Sequence, residues 1–378
     1  MSDESSPGAA RARQFPCPRC GADLVWAPAR GLLRCQYCGH EEVDERRKTA
    51  DAPDGPVMPP PGAGTAAAIP PPPQAIEYVA EVPLAERRST RTDLGWGAAR
   101  RSVRCSKCGA AESFDAGVAA KSCAFCGSPT VAEAPAGSGA LRPDGVLPFR
   151  VEKRIAITAF RAWLKSLWFR PTALKVQAAL SEIRGVYLPF WTFDVRSESD
   201  WSAEAGTRHR RGKSTTISWR HVSGHLSHRF DDLPLPASRG LDAATAREIE
   251  PFPTAELRPY EPDFLSGFLA EEFAVGVDEA RAAAQARMDD FLRTACRNEF
   301  RADAVRNLRV STTYSGWTTK SGLLPIWIAA YEFRGGSYRY VVNGATGKAT
   351  GTAPWSWVKI GFAALAVLTV VLFIAANQ

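Results

Sequence analysis

The first fourteen residues, MSDESSPGAARARQ, contain no apolar stretch. A secretory signal needs an apolar core behind a basic start, so no leader of that type is expected, and the bulk of the chain is expected in the cytosol. A complete phosphate-binding loop is also missing. GTRHRRGKS at 206–214 ends like one, in Gly212-Lys213-Ser214, but the glycine required five positions before Gly212 is replaced by Thr207. The segment also reads as a turn between two strands, not between a strand and a helix. Without that loop, Asp278-Glu279 has no nucleotide to serve as a helicase acidic box; Asp278 is expected to cap the helix that follows. Histidine is scarce, with five in the chain. His221, His225 and His228 cannot converge from one strand, because His221 and His225 share a face and His228 points away. Asp231 and Asp232 follow, but nothing places them opposite a nucleophile or a metal. No catalytic constellation emerges, so neither an enzyme nor a small-molecule substrate is expected.

Cysteine is plentiful: there are nine. Cys17, Cys20, Cys35 and Cys38 stand in CPRCGADLVWAPARGLLRCQYCG, and Cys105, Cys108, Cys123 and Cys126 in CSKCGAAESFDAGVAAKSCAFCG. Both stretches read Cys-x2-Cys, fourteen residues, Cys-x2-Cys. In a reducing compartment that grammar favours metal over disulfide. Four thiolates make a closed tetrahedral site with no position for water or substrate, so two structural zinc ions are expected, each in a zinc ribbon. Gly21, Gly39, Gly109 and Gly127 follow the second cysteine of each pair, where the turn favours a positive φ. No βαβ setting surrounds the pairs, which disfavours redox chemistry. Cys296 follows Met288, Phe291, Leu292 and Ala295 on one helix face and reads as a core residue.

The 378 residues are 45% hydrophobic and 23% charged, ordinary globular values. We read an α+β protein in five parts. Residues 1–45 form the first ribbon. Residues 46–92 form a Pro/Ala-rich linker of polyproline II character, which would leave that ribbon tethered and mobile. Residues 93–132 form the second ribbon. Residues 133–354 form a body of helices and antiparallel strands. Here a helix with the stripe Phe160, Trp163, Leu164, Leu167 and Trp168 is stopped by Pro171, which can open another helix. GVYLPFWTFDVRSES and TTISWRHVSGHLSHRF pair as a hairpin, a helix runs from Asp278 to Phe300, and GLLPIWIAAYEFR and SYRYVVN form a second hairpin. Leu-Pro-Phe-Trp at 188–191 echoes Leu-Pro-Ile-Trp at 324–327, a hint of duplication. Residues 355–378 form a transmembrane anchor: Ile360 to Ala376 are uncharged, Trp355 and Trp357 suit the interface, and Lys359 can snorkel to the cytoplasmic side.

The net charge of +7 and pI near 9.0 lean basic. The hairpin tip is the most basic spot, and Arg208, Arg210, Arg211 and Lys213 are candidates for anion or nucleic-acid contact. Two readings stay open: a non-enzymatic, tail-anchored adaptor that binds protein, and a membrane-tethered nucleic-acid binder.

The cysteine quartets, LRPDGVLPFRVEK, GVYLPFWTFDV, FDDLPLPAS, LPIWIAAYEF and VVNGATGK, with the apolar tail, cover most of the chain. Together they resemble the bacterial double-zinc-ribbon membrane proteins described as TFIIB-type zinc-ribbon-containing or primosomal-helicase-like. The long proline linker departs from that pattern, and the motor of a helicase is missing. The resemblance implies a place at the cytoplasmic face of the inner membrane. It also implies partners among SPFH-domain or phage-shock-type proteins, in an envelope-stress assembly.

Overall fold

The computed structural model describes residues 16–28, 30–42, 79–89, 100–115, 123–128, 131–134, 141–173, 179–180, 183–211, 214–334 and 336–376. Most of the expected linker, and Gly212 and Lys213, lie outside them. The described chain is mostly sheet, compatible with α+β, and ends in one apolar helix.

A small sheet holds β1 (Leu24–Ala27), β2 (Leu32–Cys35) and β3 (Glu41–Glu42). A 13-stranded sheet holds the others: β4 (Val82–Pro83), β5 (Arg100–Cys105), β6 (Ala111–Asp115), β7 (Val131–Ala134), β8 (Gly145–Val146), β9 (Ala179–Leu180), β10 (Arg184–Arg211), β11 (Ser214–Pro236), β12 (Arg258–Pro259), β13 (Leu269–Glu271), β14 (Ala304–Phe333), β15 (Gly336–Asn343) and β16 (Ala349–Gly351). Its backbone is the antiparallel pair β10 and β14, with β11 outside β10 and β15 outside β14. Leu188 sits opposite Leu324, and from that pair the two Leu-Pro-x-Trp stretches run in opposite directions, with Trp191 opposite Ser321 and Trp327 opposite Gly185. Each half runs helix, long strand, turn, strand: Lys153–Ser166 precedes β10 and β11, and Val277–Asn298 precedes β14 and β15.

At 28 and 30 residues, β10 and β14 are far longer than ordinary strands. Their inner parts, near Leu188 and Leu324, are buried on both faces. Beyond a bulge at Asp194, β10, β11 and β14 extend together as an arm. The alternation then becomes strict: Val195, Ser197, Ser199 and Trp201 are buried, while Arg196, Glu198 and Asp200 are exposed. The helix Val277–Asn298 covers the inner face with Ala280, Ala284, Met288, Leu292 and Cys296, a four-residue repeat that keeps one stripe on the sheet. Cys296 is therefore a core residue, and burial raises its thiol. The helix begins two residues earlier than a cap at Asp278 requires. Its N-cap is Gly276, and Asp278 lies in the first turn, where it meets the positive end of the helix dipole.

The helix Lys153–Ser166 buries Ala156, Phe160 and Leu164, and Trp163 packs partly against the same core. Leu167 still packs partly against that core, and the expected stripe stops after it. Leu167 is the C-cap, and Trp168 is 77% exposed. A helix through Pro171 would drive its ring into the carbonyl of Leu167. The second helix expected after Pro171 falls in part on residues outside the described ones. The main core is aromatic: Phe149 stacks on Phe268 at 4.3 Å and meets Tyr187 and Trp327 edgewise or tilted. Such pairs each contribute about 1 kcal/mol beyond their burial.

Neither ribbon stands apart from the body. β6 pairs with β13, with Ala270 opposite Ser113 and Glu271 opposite Glu112, which builds the second ribbon into the large sheet. The first ribbon was expected to be mobile, but it is docked. Leu24, Trp26 and Leu33 share a core cluster with Phe264 and Phe268, and the Trp26 N–H donates to the Ser266 carbonyl at 3.2 Å. The end of the expected linker is folded too: β4 pairs with β14, and Leu84 is buried in the helix Leu84–Ser89.

Candidate metal centres

All four knuckles share one backbone construction. The amide of the glycine donates to the carbonyl of the first cysteine at 2.8 Å (Gly21), 3.1 Å (Gly39), 2.9 Å (Gly109) and 3.0 Å (Gly127). Those glycines have φ between 71° and 77°, the left-handed region a Cβ disfavours. Each turn aims both sulfurs of its pair inward. Cys17 and Cys38 are 3.5 Å apart at sulfur, Cys20 and Cys35 3.5 Å, Cys105 and Cys126 3.7 Å, and Cys108 and Cys123 3.6 Å. A disulfide would need about 2.05 Å. A tetrahedron with metal–sulfur bonds of about 2.3 Å has edges of about 3.8 Å. The quartets therefore fit a four-coordinate metal ion, and in each all four ligand atoms lie within 4.8 Å of one another.

The surroundings act on the thiols in both directions: burial raises Cys108 and Cys123 and the neighbouring thiols raise Cys20, while backbone N–H groups lower Cys35 and Cys105. Backbone N–H groups of Cys38 and Tyr37 point at the Cys35 sulfur and push that thiol down to about 6. At Cys105 burial raises the thiol, but the N–H groups of Cys108 and Lys107 outweigh it, and the net shift is downward. Such donors spread the charge of a thiolate cluster and orient it.

Behind the second quartet lies a feature the sequence does not signal. Glu112 is buried and accepts from the Ala124 N–H at 2.8 Å. Its cross-strand neighbour Glu271 is buried as well. It accepts from Ser238 Oγ at 2.5 Å and from the backbone N–H groups of Arg239 and Gly240. Burial pushes Glu271 up to about 7, and the nearby Glu112 adds to the shift. Arg339 closes the same seam, donating from Nε to the Phe125 carbonyl at 2.7 Å and from Nη1 to the Gly240 carbonyl at 2.9 Å. Two chain segments some 160 residues apart meet here, so no local pattern announces the pair.

A third acidic group, Glu81, Asp194 and Asp231, also has ligand atoms within 4.8 Å. The ammonium of Lys320 already supplies positive charge there, 2.5 Å from Asp232 and 3.8 Å from Glu81. The histidines lie apart, on opposite faces. His225 bridges Asp200 and Glu198 on the exposed face, and His228 packs on Phe230 and Phe291.

The basic tip does not join the quartets. Arg208 and Arg210 are exposed near the end of β10, and the Arg208 N–H donates to Asp303 at 2.8 Å. Arg211 ends β10 opposite Ser214, and Lys213 lies outside the described residues. The second ribbon attaches through β13 to Val186 and Tyr187. At about 3.3 Å per residue, that places the tip roughly 75 Å away along the strand.

The apolar helix Trp357–Ala376 has 20 residues. At 1.5 Å per residue it is about 30 Å long, the thickness of a bilayer's hydrocarbon core. None of it is buried against the rest of the chain.

The fold and its centres thus define a sheet-rich protein with two four-cysteine groups that could each hold a metal ion and, among the described residues, one helix able to span a membrane. The chain is similar to a Bacillus subtilis (strain 168) protein described as uncharacterized protein YdjG. The two are 27% identical over 228 residues, 59% of this chain and 67% of that protein. No family model matches the chain. No solved structure matches it.

Proposed function

We propose that this protein is a non-enzymatic zinc-ribbon scaffold, anchored in the inner membrane by its C-terminal helix with the bulk of the chain in the cytoplasm. The observation that carries the reading is the apolar helix Trp357–Ala376, exposed on every side while the chain before it is folded. A bilayer would bury such a surface over the whole length of the helix. Lys359 and the arginine-rich body lie on its N-terminal side, the arrangement of a cytoplasmic flank. The closed quartets suit zinc in a structural role, and a reducing cytoplasm keeps the thiolates free for metal.

A protein is the partner that fits best. Tyr37, on a knuckle of the first ribbon, is 87% exposed. It borders an open cleft shared with Val25, Trp26, Arg34 and Gln36. The resemblance noted above points to an SPFH-domain or phage-shock-type protein. The nucleic-acid reading rests on exposed Arg208 and Arg210, with Arg211 and Lys213 beside them in the sequence. The roughly 75 Å between tip and second ribbon argues against one grip by both.

The test uses the full chain in cells, with a reporter fused after Gln378 that is active only outside the cytosol. It should be active, and the protein should resist carbonate extraction. A silent reporter with an extractable protein would sink the anchor. Pull-down from detergent-solubilised membranes should recover a protein whose capture is insensitive to salt. Nucleic-acid binding that falls steeply with salt would favour the second reading.

A further inference from the structure

We propose that the loop Leu167–Pro171 is a second membrane contact, seating the body on the anionic headgroup surface of the bilayer that the apolar helix spans. The inference rests on the anchor reading above. Trp168 and Phe169 are 77% and 43% exposed, an apolar pair with no cover from the body. The loop is tied to the base of the apolar helix by three separate contacts. The Ser356 N–H donates to the Phe169 carbonyl at 2.9 Å. Lys359 Nζ donates to the Trp168 carbonyl at 3.1 Å. The Arg170 guanidinium lies over the Trp355 ring, 3.6 Å from its centroid.

These contacts set the depth of the loop. Trp355 and Trp357 are themselves 57% and 78% exposed and stand where a spanning helix enters the headgroup layer. The backbone of Trp168 and Phe169 is bonded to Ser356 and Lys359, so the loop shares the depth of the start of the helix. Tryptophan in particular favours that layer, because its ring is apolar and its N–H needs a polar partner.

Charge selects the surface. Residues 153–181 carry Lys153, Arg154, Arg161, Lys165, Arg170 and Lys175 and no Asp or Glu. Residues 353–378 carry Lys359 and no Asp or Glu. The loop Leu167–Pro171 and residues 355–359, from distant parts of the chain, meet at the base of the helix with Arg170 and Lys359 and no acid among them. Such a flank is attracted to a leaflet of anionic lipid and falls off within a Debye length.

The test reconstitutes the full, metal-loaded chain in vesicles containing anionic phospholipid, with or without bromine high on the acyl chains. Bromine quenches only tryptophans at membrane depth. The chain has 11 tryptophans, so each contribution is read as a difference between wild type and a Phe variant. Trp357→Phe should remove a quenched component, which reports the anchor. Trp168→Phe should remove a second component of similar size. Phe169→Asp should lower the quenching of Trp168 several-fold and leave that of Trp357 in place. If Trp357 is quenched and Trp168 is not, the loop faces water or a protein and the proposal is overturned while the anchor stands. If neither is quenched and carbonate extracts the chain, the anchor reading has failed first.

Discussion

Replacing Gly267 with alanine should undock the first ribbon without unfolding it. Gly267 has φ +79, and a Cβ there would lie 2.2 Å from Val25 Cγ1 and 3.1 Å from Val25 Cβ. Ordinary carbon contacts are about 3.5–4.0 Å, and a β-branched valine has little freedom to turn aside. The ribbon must therefore retreat by more than an ångström. That retreat breaks the 3.2 Å bond from the Trp26 N–H to Ser266 and the bond from Ser266 Oγ to the Leu24 carbonyl. It also parts the rings of Trp26 and Phe264, now 4.9 Å apart. Two hydrogen bonds at about 1 kcal/mol each and an edgewise ring pair at about 1 kcal/mol sum to about 3 kcal/mol. The docked population should fall about 100-fold. Hydrogen exchange at the Trp26 amide reads this directly, because that amide donates to the body. Val25→Ala in the same chain should restore most of the protection by removing the clashing methyl. The alanine at 267 keeps a left-handed backbone that costs about 1 kcal/mol, so rescue should be incomplete. Unchanged exchange at Trp26 in the single variant, or no rescue in the double, would refute the docking interface.

Three further outcomes follow from the same structure. Metal analysis of protein never exposed to chelator should find two ions per chain. Cys105→Ser should leave one and expose the β5–β6 segment to protease, since metal binding supplies much of the folding energy of such units. Lys320→Met should destabilise by about 3–5 kcal/mol in urea unfolding, because Asp194 and Asp232 would lose their buried counter-charge; a loss under about 1 kcal/mol would contradict that role. Glu271 gives a pH signature. Its folded pKa is raised to about 7 from 4.5, so its contribution to stability is present below about pH 4.5 and is lost as pH rises through about 7. Glu271→Gln should remove that loss, gaining on wild type by on the order of 3 kcal/mol between pH 5 and pH 8 in metal-saturated protein; parallel pH profiles would refute it.

The metal centres were legible because their grammar is local. A Cys-x2-Cys-Gly turn is built within a few residues, and its φ and hydrogen bonds follow from the glycine wherever the turn sits. The apolar helix was legible for the same reason: its length and lack of charge are properties of one segment. The hairpins of β10 with β11 and β14 with β15 also followed from alternation and turn residues. The helix Lys153–Ser166 was legible only in part, since Trp168 continues the apolar spacing but Pro171 ends the helix before it. What the tertiary structure alone decided is where distant segments meet. The docking of Trp26 on Ser266 and Phe264, the buried pair Glu112 and Glu271, and Lys320 among Glu81, Asp194 and Asp232 each join residues far apart in the chain. So does the tie between the Trp168–Arg170 loop and the base of the apolar helix. Local propensity acts over a turn of helix or a strand pair, whereas these contacts depend on how whole elements pack. Sequence by itself therefore determined two four-cysteine groups and a membrane-length helix; only packing decided that both ribbons meet the body along one stretch, the first docked on Phe264, Ser266 and Phe268 and the second paired with β13, because those partners lie far from the ribbons in the chain.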